Sequence, residues 1–574
     1  MSKAGVPASV SARAKPNFFD IITIILIIAL GVFIASATRH VLQPIAVSGE
    51  SSISLDPSNL PWYALRTTLR MFAALFASLI FTFTYAVLAA KSRRAEMVLI
   101  PILDILQSVP ILGFLTFTVV FFMGLFPGKI LGAELAAIFT IFTSQAWNMA
   151  FSMYQSIKTI PSDMSEAASG FGLTGWQRFW RLEVPAAIPG LVSNMMMSMS
   201  GGWFMIVYSE TITVGETEIT LPGIGSYVGT AIEQRNIFAV FYAIIAMLLV
   251  ILAYDQLLFR PLVSWSSKFR LETTKSESDP VPWLVRMVHR TRFLRWAGDK
   301  ITEWIYRFGG LPIGRRSFSV KTPLIPSRTA DILWFALLGL IAIISVFYIY
   351  RSINGLLTFS EILYSIELGF LTLLRVIAMI VLASLIWVPA GIWLGLKPVW
   401  ARRAQIIAQF MAAFPANLFY PFFVVGIVHF HLNSDIWLTP LMILGTQWYI
   451  LFNVIGGASA FPGDLREAVK NFNIKGRLWW FKVMLPAICP YYVTGALTAC
   501  GGAWNASIAS ELAKWGDTTL VAEGLGAYIA QATIAGDTIK VGLGIVVMST
   551  FVILFNRLVW HPLYNFAQRR LTFS

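Results

Sequence analysis

Charge is scarce in this chain. Of its 574 residues only 13% are Asp, Glu, Lys or Arg, while 57% are apolar. A soluble domain carries roughly 25% charged residues, so a water-facing globule is excluded. Intrinsic disorder is excluded by the apolar surplus. Cysteine is scarcer still. Cys489 and Cys500 are the only two, too few for a disulfide scaffold, and both fall in apolar stretches as small core residues. The five histidines, His40, His289, His429, His431 and His561, are scattered. Only His429 and His431 are close, and two positions apart they face different sides of a helix, so no metal site is expected. A Gly-x-x-x-x-Gly-Lys-Ser/Thr phosphate loop is lacking as well, so any nucleotide chemistry belongs to another polypeptide and the chain is not expected to be an enzyme.

What is present is a series of long apolar runs bounded by charge or turn residues. Twelve fall near 18–38, 65–90, 98–126, 131–156, 186–210, 236–262, 330–350, 366–396, 405–430, 436–457, 487–511 and 539–562. Runs of about 20 residues span a bilayer as helices, because lipid cannot satisfy open backbone groups. A membrane β-barrel would need alternating segments, and Ile21–Leu30 does not alternate. The first run follows a basic amino terminus but lacks a small-residue cleavage site, so it reads as a membrane helix rather than a removed signal. The fold expected is an all-α polytopic membrane protein with about twelve transmembrane helices.

The net charge of +14 is spread by side rather than gathered for nucleic acid. With the amino terminus inside, Lys91–Arg94, the 157–185 loop, the 264–328 linker, Lys397–Arg403, the 458–486 loop and the tail with Arg569 and Arg570 all lie inside and are basic. The opposite segments, 40–64, 211–235 and 512–538, carry mainly acids, among them Glu50, Asp56, Glu216, Glu218, Glu233, Asp517, Glu523 and Asp537. Basic loops mark the cytoplasmic side, which predicts that both termini are cytoplasmic. The linker holds thirteen Lys or Arg against five acids. Between Trp283 and Phe308 it spaces Leu284, Met287, Val288, Leu294, Ile301, Trp304, Ile305 and Phe308 helically, with Arg286, Arg290, Arg292 and Arg295 between them. That pattern suits a helix lying on an anionic leaflet, and equally a basic connector with no lipid role.

The two halves of the chain repeat one another. Glu166-Ala167-Ala168 recurs as Glu467-Ala468-Val469, Pro185 and Pro189 as Pro486 and Pro490, Trp203 as Trp504, and Ser209-Glu210 as Ser510-Glu511. Gly223, Gly225 and Tyr227 recur as Gly524, Gly526 and Tyr528, and Arg260-Pro261-Leu262 as His561-Pro562-Leu563, always 301 positions on. Arg70 and Pro110 match Arg375 and Pro415 at a spacing of 305. The domains expected are therefore a first six-helix repeat over 1–263, the linker over 264–328 and a second repeat over 329–574. Both repeats begin and end inside, so they are parallel and related by an axis along the membrane normal, which suits a transport path between halves.

Each repeat carries a cytoplasmic loop of about 30 residues after its fourth helix, longer than a bare connection needs. The first reads Ile160-Pro161-Ser162-Asp163 through Glu166-Ala167-Ala168 to Gly172 and on to Pro185. Pro161 with Ser162 or Asp163 as cap predicts a helix start, Gly172 a left-handed stop, and a second short helix runs from Gly175 up to Pro185. The second loop repeats this from Pro462 through Glu467, Ala468, Val469, Asn473 and Gly476 to Pro486.

This Glu-Ala-Ala-x-x-x-Gly spacing, found twice with the same sidedness, resembles the EAA loop of binding-protein-dependent ABC importer permeases of the type I fold, and the resemblance covers nearly the whole chain. It implies that Glu166, Ala167, Ala168 and Gly172, with Glu467, Ala468, Val469 and Asn473, form two coupling helices that dock on ATPase subunits. Val469 and Asn473 depart from the motif, although Asn tolerates positive φ best among non-Gly residues. The resemblance also implies two ATP-binding cassette subunits below, with ATP and Mg on them and no cofactor in this chain. It implies a periplasmic or lipid-anchored binding protein above, near 211–235 and 512–538, in a bacterial inner membrane. The Trp, Ser-Glu and Gly-x-Gly-x-Tyr series looks like the nitrate, sulfonate, taurine and bicarbonate branch. That branch implies a small anion, with an amino acid or phosphate as alternatives.

Ionisable groups at membrane depth are functional candidates. Glu210 and Glu511 end the fifth helix of each repeat, Trp203 and Trp504 precede them by two turns, and Arg70 and Arg375 early in the second helix could pair with them. These six are the candidate pathway residues, with the acids expected to hold helices or gate rather than bind an anion. An ion-gradient-driven twelve-helix transporter, or a channel or receptor, remains the competing reading.

Overall fold

A computed structural model describes residues 53–214, 217–269, 291–313 and 357–570, with isolated positions at 332, 334, 336, 339, 340 and 344. The expected span near 18–38, most of that near 330–350, and the linker stretches 270–290 and 314–328 lie outside the described residues.

The described chain is helical apart from loops and two hairpins. Its first half runs α1 (Leu60–Lys91), α2 (Arg93–Ser108), α3 (Ile111–Leu125), α4 (Ile130–Lys158), α5 (Ser162–Gly170) and α6 (Val184–Glu210), then the hairpin β1 (Thr211–Val214) and β2 (Thr217–Thr220), then α7 (Ile224–Glu233) and α8 (Ile237–Tyr254). The linker contributes α9 (Arg292–Gly309). The second half runs α10 (Phe359–Gly395), α11 (Pro398–Ala413), α12 (Tyr420–His429), α13 (Gln447–Ser459), α14 (Gly463–Asn471) and α15 (Leu485–Ser510), then β3 (Leu512–Trp515), β4 (Thr518–Val521), α16 (Leu525–Ile534) and α17 (Thr538–Phe555).

Ten of the twelve expected runs fall among the described residues. Six helices are long and apolar enough to cross a membrane, or eight if each of two bent pairs is one span. Proline breaks two of these runs. A residue before proline is pushed out of the helical region. Val109 before Pro110 is extended, and Phe414 before Pro415 likewise. The expected run 98–126 therefore divides into α2 and α3. The run 405–430 bends by 79° between Pro398–Ala413 and Ala416–His429, and that near 436–457 by 44°.

A second proline device recurs four times. Wide π turns over Phe179–Glu183, Asp255–Phe259, Trp480–Met484 and Asn556–Trp560 each sit just before a residue-Pro pair, namely Val184-Pro185, Arg260-Pro261, Leu485-Pro486 and His561-Pro562. A proline inside a helix clashes with the carbonyl four residues back, and a π turn, with its i→i+5 bonds, opens the ladder there. Helices thus run through these prolines, and the short helix expected to stop at Pro185 instead continues into α6.

The described residues form two compact units. One contains 159–192, 254–269 and 291–313, and the other 53–158, 193–253 and 357–570. In the larger unit α1 packs along α4, α10 along α13, and α13 along α15. Small residues allow this closeness. A Cβ on Gly395 of α10 would lie 2.6 Å from the Ala458 Cβ of α13. One apolar core runs through the second repeat and takes in Val109, Leu112 and Met205 of the first. The antiparallel hairpins pair Thr211 with Thr220 and Leu512 with Val521. Neither hairpin was expected, because four-residue strands leave little periodic signal.

Candidate functional site

The two expected coupling loops fold alike. In the first, α5 begins after Pro161, which occupies the cap position without a side-chain hydrogen bond, so neither Ser162 nor Asp163 caps it. Asp163 in the first turn still complements the helix dipole. The helix ends where Gly172 takes φ +66°, with Gly172 N–H donating to Ser169 O at 2.9 Å and Leu173 N–H to Ala168 O at 3.2 Å. In the second, α14 follows Pro462 and ends where Asn473 takes φ +50°, with Asn473 N–H donating to Lys470 O at 3.1 Å and Ile474 N–H to Val469 O at 3.0 Å. This is one left-handed C-terminal motif made twice. Asn in place of Gly leaves the turn unchanged.

Glu166 and Ala167 are exposed while Ala168 is buried, and Gly172 is half-buried. Glu467 and Asn473 are exposed, and Ala468 and Val469 half-buried. Each helix also presents an aromatic ring that sequence reasoning passed over. Phe171 is 82% exposed and Phe472 79% exposed, 301 positions apart and each just before the left-handed residue. Their recurrence at the repeat spacing was the signal that could have found them.

The candidate pathway residues lie deeper. Trp203, Trp504, Glu210, Glu511 and Arg70 are buried. Each arginine meets its glutamate, together with a second acid that the sequence reading missed. Arg70 donates from Nε and Nη2 to the two carboxylate oxygens of Glu134 at 2.6 and 2.7 Å, and from Nη1 to Glu210 Oε1 at 2.7 Å. Such two-point pairing is the strong form of a charged hydrogen bond. Arg375 sits at 3.3 Å from Glu511 Oε1 and 3.2 Å from Asp435 Oδ1. Glu134 and Asp435 stand 301 apart, so the triad is itself repeated.

Each glutamate also reads the turn that follows its hairpin. Glu210 accepts from Thr67 Oγ1 at 2.7 Å and Gly225 N at 2.6 Å, and Ile224 N donates to Thr67 Oγ1 at 3.0 Å. Glu511 accepts from Thr372 Oγ1 at 2.9 Å and Ala527 N at 3.1 Å, and Leu525 N donates to Thr372 Oγ1 at 2.9 Å. A Cβ on Gly223 would come within 2.2 Å of the Glu210 carboxyl carbon, and one on Gly524 within 2.5 Å of that of Glu511. The Gly-x-Gly turn is glycine because a carboxylate lies against it. Each triad ties the helix after the hairpin to α1 and α4, or to α10.

Within the larger unit the repeats exchange polar contacts. Ile111 N–H at the proline break donates to Asn505 Oδ1 at 2.7 Å, and Asn417 Nδ2 donates to Phe204 O at 3.0 Å. Phe204 and Asn505 are repeat equivalents, so the two bonds cross the axis in opposite senses. Ser200 and Tyr449 share a further hydrogen bond there.

The fold and its paired sites define a class: an all-α, multi-pass membrane protein made from two copies of one unit. The chain belongs to the binding-protein-dependent transport system inner membrane component family, whose profile matches residues 82–259 and again 387–571, together more than half of its length. That family comprises transport permease subunits, not enzymes. The chain is similar to the glycine betaine/carnitine transport permease protein of Listeria monocytogenes, 27% identical over 29% of this chain and 54% of that one. It is also similar to the bicarbonate transport system permease protein of Synechocystis, 27% identical over 24% of this chain and 47% of the relative. A third similarity is to the taurine transport system permease protein of Escherichia coli, 25% identical over 33% and 66%. The chain spans about half the length of the first curated relatives it matches.

Proposed function

We propose that this chain is the membrane-spanning subunit of an ATP-driven, binding-protein-dependent importer, with both repeats fused in one polypeptide. The observation that carries the reading is the doubled coupling loop: the same nine-residue helix, the same left-handed stop and the same exposed phenylalanine in each repeat. Each helix offers an ATPase subunit a small apolar face with Glu166 or Glu467 beside it, the arrangement of a helix seated in a groove. ATP and Mg would be held by those subunits. The basic loops put both helices and both termini in the cytoplasm, and the hairpins and following helices then meet the binding protein outside.

The pathway residues take the role of latches. Glu210 and Glu511, each bonded to an arginine, a threonine and a backbone amide, hold the outer turn of each repeat against its helices. Rigid-body tilting of the repeats about their shared polar contacts would open the path. Those contacts, Ser200, Tyr449, Asn417 and Asn505, are neutral. The substrate is a small polar solute with a negative group, of the kind that the bicarbonate and taurine relatives are named for, and its identity is set chiefly by the binding protein.

The test is reconstitution of the chain in vesicles with a cognate ATPase and binding protein. Uptake of labelled bicarbonate, nitrate, taurine or betaine should require ATP inside, and Glu166→Ala or Gly172→Val should uncouple hydrolysis from uptake while leaving insertion intact. Uptake that continues on an ion gradient after ATP is exhausted would overturn the assignment.

A further inference from the structure

The two coupling loops differ in one respect. The first is held by the linker helix α9. Trp176 Nε1 donates to Phe308 O at 2.8 Å and Gln177 Nε2 to Gly310 O at 2.9 Å. These acceptors belong to the last turn and cap of α9, where carbonyls lack an i+4 helical partner, and Phe308 O also accepts from Leu311 N at 3.3 Å. The rings of Trp176 and Trp180 lie edge-on to Phe308 at 5.0 and 5.5 Å, and Trp304 stacks on Phe308 at 5.4 Å. Gly309 permits the approach, since a Cβ there would stand 3.0 Å from Trp180 Cβ. At the repeat spacing the second loop has Arg477, Leu478 and Phe481 in place of Trp176, Gln177 and Trp180. Neither Leu478 nor Phe481 has an N–H in its side chain, and both are exposed.

Only the end of α9 is used in this contact. Further along the helix, Trp304 is 65% exposed and Ile305 47% exposed, while Asp299 and Glu303 occupy the opposite side. Trp296 and Tyr306 are also exposed, on the side of the two acids. The helix carries four basic residues against two acidic ones, within a linker of thirteen against five. Glu303 is already engaged by Lys300 and Arg307. An exposed apolar stripe on a helix with surplus cations, in a chain that spans a membrane, matches an anionic lipid surface.

We propose that α9 is an interfacial clamp, seating its Trp304–Ile305 face on anionic lipid and thereby tethering the first coupling loop, and not the second, to the membrane surface. The importance of that loop rests on the importer reading, whereas the tether can be tested without any ATPase. In a full-length variant with Cys489 and Cys500 replaced by Ala, a spin label is placed at Ile305→Cys or Asp299→Cys. The protein is reconstituted in vesicles rich in phosphatidylglycerol or made of phosphatidylcholine alone. The label at 305 should move from water-accessible to oxygen-accessible in the anionic vesicles only, with the label at 299 water-accessible in both. A label at Phe171→Cys should then lose mobility with lipid charge, a label at Phe472→Cys should not respond, and Trp176→Arg with Gln177→Leu should abolish the difference. A water-accessible 305 label in both vesicles makes α9 a plain connector and overturns the proposal, as does an equal response at Phe171 and Phe472.

Discussion

Arginine 70 serves two carboxylates inside the helix bundle, and its removal should be the most damaging single change in either triad. In Arg70→Met the methionine fills part of the space, but Glu134 and Glu210 are left facing each other with their charges unmet. Breaking a buried ion pair from one side costs about 3–5 kcal/mol. Arg375→Met tests the same logic at lower stakes. Its contacts are longer, at 3.2 and 3.3 Å, and Asp435 is 48% exposed, so water screens one of its two pairs while Glu511 stays buried, and a smaller cost of about 1–3 kcal/mol is expected. Thermal unfolding of the purified chain in detergent, read by light scattering and tryptophan fluorescence, should rank wild type above Arg375→Met and that well above Arg70→Met. Since uncompensated charge causes the loss, neutralising both acids as well, in Arg70→Met/Glu134→Gln/Glu210→Gln, should recover most of it. The reasoning fails if the two single variants unfold together, or if the triple variant is no more stable than Arg70→Met.

Other consequences follow from the same geometry. Gly223→Ala should lower the folded yield and displace Glu210, because the new methyl meets a carboxylate, whereas Gly124→Ala, with open space around it, should be tolerated; both are read by yield and unfolding temperature. Asn473→Gly should keep the second coupling loop intact, while Asn473→Val, which must hold positive φ, should cost about 1–2 kcal/mol and show as faster proteolysis of the 458–486 loop. Phe171→Asp and Phe472→Asp should each weaken retention of the ATPase subunits on purification without changing insertion, and full retention in both would remove the rings from the docking surface. Asn505→Leu leaves the Ile111 N–H without its acceptor, a loss of about 1–3 kcal/mol, measurable as a lowered unfolding temperature. In α9, the bond from Lys300, with Arg307 beside it, holds the Glu303 carboxyl below its usual range. A lowered folded value means that this support is complete above the ordinary carboxylate range and lost as pH falls through the lowered one, so the mobility of a label at residue 299 should rise only in acid.

Much of the site could be read from the residues in order. The two loop helices were legible because a Pro start, a Glu-Ala core and a left-handed stop are all local, and because they occur twice. The Arg70–Glu210 and Arg375–Glu511 pairings were inferable from repeat position. Glu134 and Asp435 were not found, since each sits in an otherwise apolar run and a lone acid there has no local pattern to mark it. The broken spans were missed for a related reason. Composition counts apolar residues across Pro110 and Pro415, whereas the backbone leaves the helix at Val109 and Phe414, just before them.

By itself the sequence determined that the chain lives in a membrane, that it is helical there, that it contains one unit twice, and where each unit carries its helical handle. Those properties depend on composition, short-range backbone preference and self-similarity, all of which are written along the chain. Tertiary structure alone decided which charges meet, which glycines must remain glycine, and which of the two handles the linker holds. Arg70 finds Glu134 and Glu210 across 64 and 140 positions, and Gln177 finds Gly310 across 133. Contacts of that kind are selected by the packing of whole helices, where a buried charge or an orphan carbonyl must find a partner, and no local pattern records which partner it will be.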